Sequence, residues 1–211
     1  MTCGTFRQAL ECAPSSARPP ETSMLDALLV STGTVALAEI GDKTQLLALM
    51  LAARFRKPWP IVWGILVATL LNHALAGWLG AMAATWLTPQ VLRWVVAASF
   101  IGIALWTLKP DTLDEDASLP ARGAFIATTI AFFIAEIGDK TQVATVLLAA
   151  KYQPLWQVVG GTTIGMLLAN VPVVLLGSRF ASKLPLKAAR IAAALVFLAL
   201  GLWVAAFGIG D

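Results

Sequence analysis

Hydrophobic positions fall into six long runs with few polar interruptions, near residues 25–53, 59–87, 92–108, 123–150, 156–180 and 188–209. Each reaches or exceeds the length a helix needs to cross a hydrocarbon core, roughly 17–25 residues. None shows the alternation of a membrane β-strand, and a helix satisfies its own backbone in lipid, so all six are predicted to be helices. Breaks fall where polar residues meet proline: Arg56-Lys57-Pro58, Thr88-Pro89, Lys109-Pro110, Gln153-Pro154 and Leu184-Pro185.

The pattern also repeats. Ala38-Glu39-Ile40-Gly41-Asp42-Lys43-Thr44-Gln45 recurs as Ala135-Glu136-Ile137-Gly138-Asp139-Lys140-Thr141-Gln142, at an offset of 97 residues. Held without gaps, that offset pairs Trp59 with Trp156, Gly64 with Gly161, Gly80 with Gly177, Arg93 with Arg190, Phe100 with Phe197 and Trp106 with Trp203. The chain therefore reads as a duplicated three-helix unit. Three crossings are an odd number, so the second copy enters the membrane from the opposite face. The expected fold is an all-α integral membrane protein of six transmembrane helices, arranged as two inverted-topology three-helix repeats. In transporters of that architecture the site lies near the midplane, between the repeats. The expected divisions are a disordered tail over 1–23, repeat 1 over 24–108, an acidic linker over 109–122 and repeat 2 over 123–211.

Composition narrows the class. Of the 211 residues 58% are hydrophobic and 13% charged, about half the charge of a soluble domain. That excludes a soluble enzyme, a nucleic-acid binder and a disordered regulator, leaving the lipid bilayer as partner. The formal charge of +3 then concerns orientation. With six crossings, Arg54, Arg56, Lys57, Lys109, Arg122, Arg179, Lys183, Lys187 and Arg190 share one face, against Arg7, Arg18, Arg93 and Lys151 on the other. The positive-inside rule puts the richer face, with the linker, in the cytoplasm and both termini in the periplasm. Cys3 and Cys12 lie in the Pro-rich tail with no metal-binding spacing, and read as idle thiols.

The acids carry the chemistry. Eight of the 12 sit in the tail, the linker or at the chain end, while Glu39, Asp42, Glu136 and Asp139 lie inside hydrophobic runs. An ionisable group at the centre of a membrane helix costs about 2.5–3.5 kcal/mol, so such residues are functional by default and face a bundle interior or wet cavity. On a regular helix Glu39, Asp42 and Lys43 share one face, as do Glu136, Asp139 and Lys140. Gln45 and Gln142 extend each face with an amide oxygen. Opening of the helix at Gly41 and Gly138 would bring in Thr44, Thr141 and freed carbonyls. Four carboxylates and two amide oxygens make an all-oxygen set suited to Ca²⁺, Mn²⁺ or Mg²⁺. With Lys43 and Lys140 the net charge is −2, which one divalent cation or two protons would neutralise. This predicts competition of metal and protons for the same oxygens. The plain structural reading is a Glu–Lys ion pair within each motif. His73 and Asn170, related by the same offset, are candidate further ligands or relay groups, or else interhelical hydrogen bonds.

The doubled Glu-x-Gly-Asp-Lys-Thr resembles the signature of the GDT family of membrane cation/proton exchangers, in particular its bacterial manganese-exporter branch. Both copies match at every motif position, and the resemblance extends from about Met24 to the C-terminus. It implies that Glu39, Asp42, Glu136 and Asp139 carry over as the family's acidic residues, with Lys43, Thr44, Lys140 and Thr141 at its basic and hydroxyl positions. It implies export of Mn²⁺ against protons across a bacterial inner membrane, with no prosthetic group. A Ca²⁺/H⁺ exchanger is the nearest alternative. An intramembrane enzyme or a structural subunit, with or without homo-oligomers, are the alternatives of other classes.

Overall fold

A computed structural model describes residues 21–109, 123–177 and 186–208, with side chains from 25–109, 123–177 and 187–208. The described residues form eight helices and no strand: α1 (Glu21–Glu39), α2 (Lys43–Phe55), α3 (Pro58–Trp86), α4 (Pro89–Thr107), α5 (Ala124–Glu136), α6 (Lys140–Lys151), α7 (Leu155–Leu176) and α8 (Leu186–Phe207). Four are long and apolar enough to cross a membrane: α3, α4, α7 and α8 from Lys187; α5 is a shorter apolar helix. The tail through Pro20, with both cysteines, and most of the linker lie outside the described residues; α1 starts at Glu21, inside the span assigned to the tail.

The first and fourth hydrophobic runs are not single helices. Each is interrupted within its motif, α1 giving way to α2 and α5 to α6. The cause is local: Gly41 and Gly138 adopt φ of 80° and 74°, a left-handed conformation that glycine takes without a Cβ penalty. Elsewhere helices start on proline, α3 at Pro58 and α4 at Pro89, where the missing N–H costs nothing. The Thr88 hydroxyl accepts a bond from the Val91 N–H at the start of α4.

Packing joins the two halves. α1 lies along α7, and α3 along α5 and α6, with α4 against α8. Two glycines set the approach. A Cβ on Gly161 would fall 2.6 Å from the Leu28 carbonyl oxygen and 2.9 Å from the Ser31 side chain. Its partner at the repeat offset, Gly64, meets the Phe125 carbonyl and Thr128 in the same way, at 2.9 and 2.7 Å. Close passage over small residues is how membrane helices gain contact where no hydrophobic drive exists between them. Phe100 and Phe197, also one offset apart, stack with ring centroids 6.2 Å apart. Leucines and tryptophans such as Trp59, Trp86, Trp94 and Trp156 face outward, as expected where lipid is the solvent. The motif breaks lie at the junctions of α1 with α2 and of α5 with α6, at the centre of this packing.

Candidate metal centre between two broken helices

Each residue of the motif has a distinct structural task at the break. Glu39 and Glu136 are the last residues of α1 and α5. Gly41 and Gly138 turn the chain, and Asp42 and Asp139 become the N-caps of α2 and α6. The Asp139 carboxylate accepts from the Thr141 N–H at 3.4 Å. The glutamines depart from expectation. Gln45 Oε1 accepts the Gly41 N–H at 2.9 Å, and Gln142 Oε1 the Gly138 N–H at 2.7 Å. This is the reach-back of a capping box, shifted by one residue. The amide oxygens thus hold the turn instead of extending the acidic face, while Gln45 Nε2 ties α2 to the Ala169 carbonyl of α7 at 2.9 Å. The Asp-x-x-Gln spacing in the sequence is the signal for this cap.

Because the helices are broken, the pairing within each motif also differs from a regular helix. Each lysine reaches the aspartate of the other motif. Lys43 Nζ lies 3.1 Å from Asp139 Oδ1, and Lys140 Nζ pairs with Asp42 Oδ1. The i,i+4 Glu–Lys pair of an unbroken helix is therefore not the arrangement; opening the chain at Gly41 and Gly138 turns the lysines across the interface. The glutamates are met instead by threonine hydroxyls. Thr44 Oγ1 donates to Glu39 Oε2, with Asp42 Oδ2 at 3.5 Å. Thr141 Oγ1 lies 3.1 Å from Glu136 Oε2 and 3.3 Å from Asp139 Oδ2. A hydroxyl has one proton, so each threonine serves one carboxylate at a time.

The carboxylates converge. One oxygen each from Glu39, Glu136 and Asp139 lie within 4.8 Å of one another, and all three residues are buried. Asp42 stands within Coulombic range of Glu136 but is not in that tight group. Glu39 Oε1 and Glu136 Oε1 have no hydrogen-bond partner. Unpartnered buried carboxylate oxygens are costly, and three converging oxygens offer a cation what the protein does not supply.

The second helix of each half borders the cluster. His73 Nε2 lies 3.9 Å from Glu136 Oε2, and both of its ring nitrogens are buried without a hydrogen-bond partner. Asn170 donates to the Met166 carbonyl at 3.1 Å, within its own helix, so its donor makes no interhelical bond; its oxygen is unpartnered. The interhelical bond comes from Asn72, whose Nδ2 donates to the Phe133 carbonyl at 3.0 Å.

Known proteins match this sequence. The family model for the divalent cation/proton antiporter GDT1 matches residues 27–115 and 124–210, in two halves. A candidate manganese exporter of Vibrio cholerae is 54% identical over 189 residues, covering 89% of this chain and 94% of that protein. A GDT1-like protein of Synechocystis is 26% identical, covering 82% of this chain and 94% of its own length. GDT1-like protein 5 of Arabidopsis thaliana is also 26% identical, covering 85% and 95%. No solved structure matches the chain. The chain is a multi-pass membrane protein, a transporter and not an enzyme, and it belongs to the GDT1 family of divalent cation/proton antiporters.

Proposed function

We propose that this protein exports Mn²⁺ from the cytoplasm in exchange for protons, the ion being held between the two broken helices by Glu39, Glu136 and Asp139. The observation that carries the reading is the convergence of three buried carboxylate oxygens within 4.8 Å, beside glutamate oxygens with no partner. Hard oxygen ligands suit Mn²⁺ and Ca²⁺ alike; the 54% identical candidate manganese exporter favours Mn²⁺.

In this reading the chain makes six crossings in two inverted repeats, α1/α2 and α5/α6 each forming one interrupted span. The mirrored contacts of Gly64 and Gly161 and the matched geometry of the two motifs support it. The linker face, rich in Lys and Arg, is cytoplasmic, and the membrane is the bacterial inner membrane. Asp42 and the two lysines set the charge of the site. When Asp139 turns toward the metal, its pair with Lys43 loosens. When the metal leaves, protons take its place on the glutamates, and Thr44 and Thr141 keep those carboxylates oriented. His73, 3.9 Å from Glu136, serves as a relay neighbour to that carboxylate; Asn170 is its counterpart on α7 at the repeat offset.

The test is flux in proteoliposomes with internal Mn²⁺ and pH indicators. Mn²⁺ uptake that drives opposite proton movement, lost in Glu39→Gln/Glu136→Gln, is the expected result. Metal movement that neither responds to nor creates a pH gradient would overturn exchange, and transport of Ca²⁺ without Mn²⁺ would overturn the choice of ion.

A further inference from the structure

The two repeats are alike in sequence but not in arrangement, and the differences fall to one face. Following the chain through six crossings, α1, α4 and α7 start at the terminal face, and α3, α6 and α8 end there. The opposite, linker face holds the ends of α2, α4 and α7. At the terminal face α8 packs along α1 and α4 along α6. The pairings that the repeat symmetry would place at the linker face, α4 with α5 and α8 with α2, are not close-packed among the described residues. Gly80, in the terminal half of α3, sits against the Val146 backbone, whereas its counterpart Gly177 has nothing within 4 Å of a would-be Cβ among the described residues.

The pair α4 and α8 shows the same inequality. Toward the terminal face a Cβ on Gly201 would be 3.0 Å from the Ala97 carbonyl. At the symmetry-related place near the linker face, Ala104 and Ala194 instead line an apolar groove of about 160 Å³. Lys43, in the linker half, keeps 26% of its side chain exposed, against 2% for Lys140 in the terminal half. Among the described residues the α4–α8 pair is tighter at its terminal end than at its linker end, and a separate groove of about 400 Å³ lies between α1 and α8 in the terminal half.

One side chain ties the tighter end. Arg93, at the start of α4, donates through Nε to the Ala205 carbonyl at 3.1 Å and through Nη2 to the Ala205 and Ala206 carbonyls, the latter at 3.3 Å. These belong to the last turn of α8, where carbonyls lack helical partners and the helix dipole favours a cation. Arg93 thus caps α8 from another helix. Moving each residue by the 97-residue offset gives Arg190 at the start of α8 and the carbonyls of Leu108 and Lys109 at the end of α4. Among the described residues Arg190 makes no hydrogen bond or ion pair with α4.

We propose that Arg93 and Arg190 are alternate latches of the transport cycle: Arg93 on the α8 C-terminus holds the terminal face shut, and Arg190 on the α4 C-terminus holds the linker face shut in the opposite conformer. The inference rests on the six-crossing exchanger reading. With the linker face cytoplasmic, the present arrangement is inward-facing, ready to load cytoplasmic metal. The exchange of latches then accompanies movement of α4 from α6 toward α5 and of α8 from α1 toward α2.

Spin-label distances in the full chain, metal-free and in liposomes, test this. Labels on exposed Gln90 and Phe207 report the terminal end of the α4–α8 pair, and labels on exposed Lys109 and Lys187 report the linker end. Arg93→Gln is expected to shift the balance roughly tenfold toward a conformer wide at the terminal end and narrow at the linker end. Arg190→Gln is expected to deplete that same conformer, leaving the terminal end closed. If Arg93→Gln leaves both distances unchanged, or widens one end without narrowing the other, the latch idea is overturned. Should Arg93→Gln not fold, Arg190→Gln still decides, because enlargement of the linker-closed population contradicts the proposal. Mn²⁺ flux through the unsubstituted chain separates the two readings: if that chain exchanges no metal while the variants shift their distances as expected, the exchanger reading falls and the latches stand.

Discussion

Asp42→Asn removes the carboxylate facing the Lys140 ammonium, in a pair whose side chains are 0% and 2% exposed. Removing one partner of a buried pair costs about 3–5 kcal/mol, because the remaining charge keeps its desolvation penalty. The equivalent change, Asp139→Asn, faces Lys43, which stands 3.1 Å away but keeps 26% of its side chain exposed. Water takes up part of that loss, so about 1–2 kcal/mol is expected. Near this chain length each kcal/mol moves the midpoint of thermal unfolding by about 2–4 °C. Asp42→Asn should therefore lower it by about 6–20 °C and Asp139→Asn by about 2–8 °C, measured by circular dichroism on metal-free protein in detergent. Asp42→Asn with Lys140→Gln removes both charges and should recover most of the loss, a non-additivity that a double-mutant cycle reads directly. Recovered stability does not imply recovered transport, since the site's charge has changed. Equal losses at Asp42 and Asp139, or no recovery in the double variant, refute the cross-motif pairing and the unequal burial behind it.

The glutamine caps predict that Gln142→Leu destabilises by about 0.5–2 kcal/mol while Gln142→Glu, which keeps an acceptor for the Gly138 N–H, retains more; unfolding midpoints compare the two. The threonine hydroxyls that orient Glu39 and Glu136 predict that Thr44→Val and Thr141→Val each weaken Mn²⁺ affinity about 10–100-fold, read by calorimetric titration on folded protein. Gly165→Val would press a side chain into the Thr32 carbonyl and Ala36 nitrogen, 2.6 and 2.9 Å from a bare Cβ. That overpacking should cost about 1–3 kcal/mol and abolish flux by forcing α1 from α7, whereas Gly102→Val, with nothing within 4 Å, leaves both intact.

Hydropathy carried the helices because lipid-facing and core-facing residues alike are apolar; the runs at 59–87, 92–108 and 156–180 each correspond to one helix, α3, α4 and α7, starting one to three residues earlier. The same uniformity hides the breaks. A run averaged over 20 residues does not register two residues at which the helix breaks, and apolar residues lie on both sides of each motif. The local chemistry did contain the break: a glycine, then an aspartate, then a glutamine three residues later. Reading Gln45 and Gln142 as ligands followed from keeping the helix continuous, which placed their amides on the acidic face. Cross-motif pairing was beyond any local signal, since whether Lys140 meets Asp139 or Asp42 depends on how α6 sits against α2.

The break also explains how charge is distributed over the site. Asp42 and Asp139 occupy the N-cap positions of α2 and α6, with only the Asp139 carboxylate accepting a capping bond; the helix dipole favours an anion there, and each faces a lysine. Their charges are compensated twice. Glu39 and Glu136 end α1 and α5, where the dipole disfavours an anion; each has a threonine hydroxyl on one oxygen and nothing on the other. An unbroken helix would have given all four acids the same mid-helix environment. Breaking it at glycine sorts them into two aspartates the protein satisfies itself and two glutamates it does not. The uncompensated charge thus collects on the two residues that face each other across the repeats, where either a divalent cation or protons can neutralise it, and neither can do so while the other is bound. In the proposed exchange, the competition between metal and proton follows from where the helices stop.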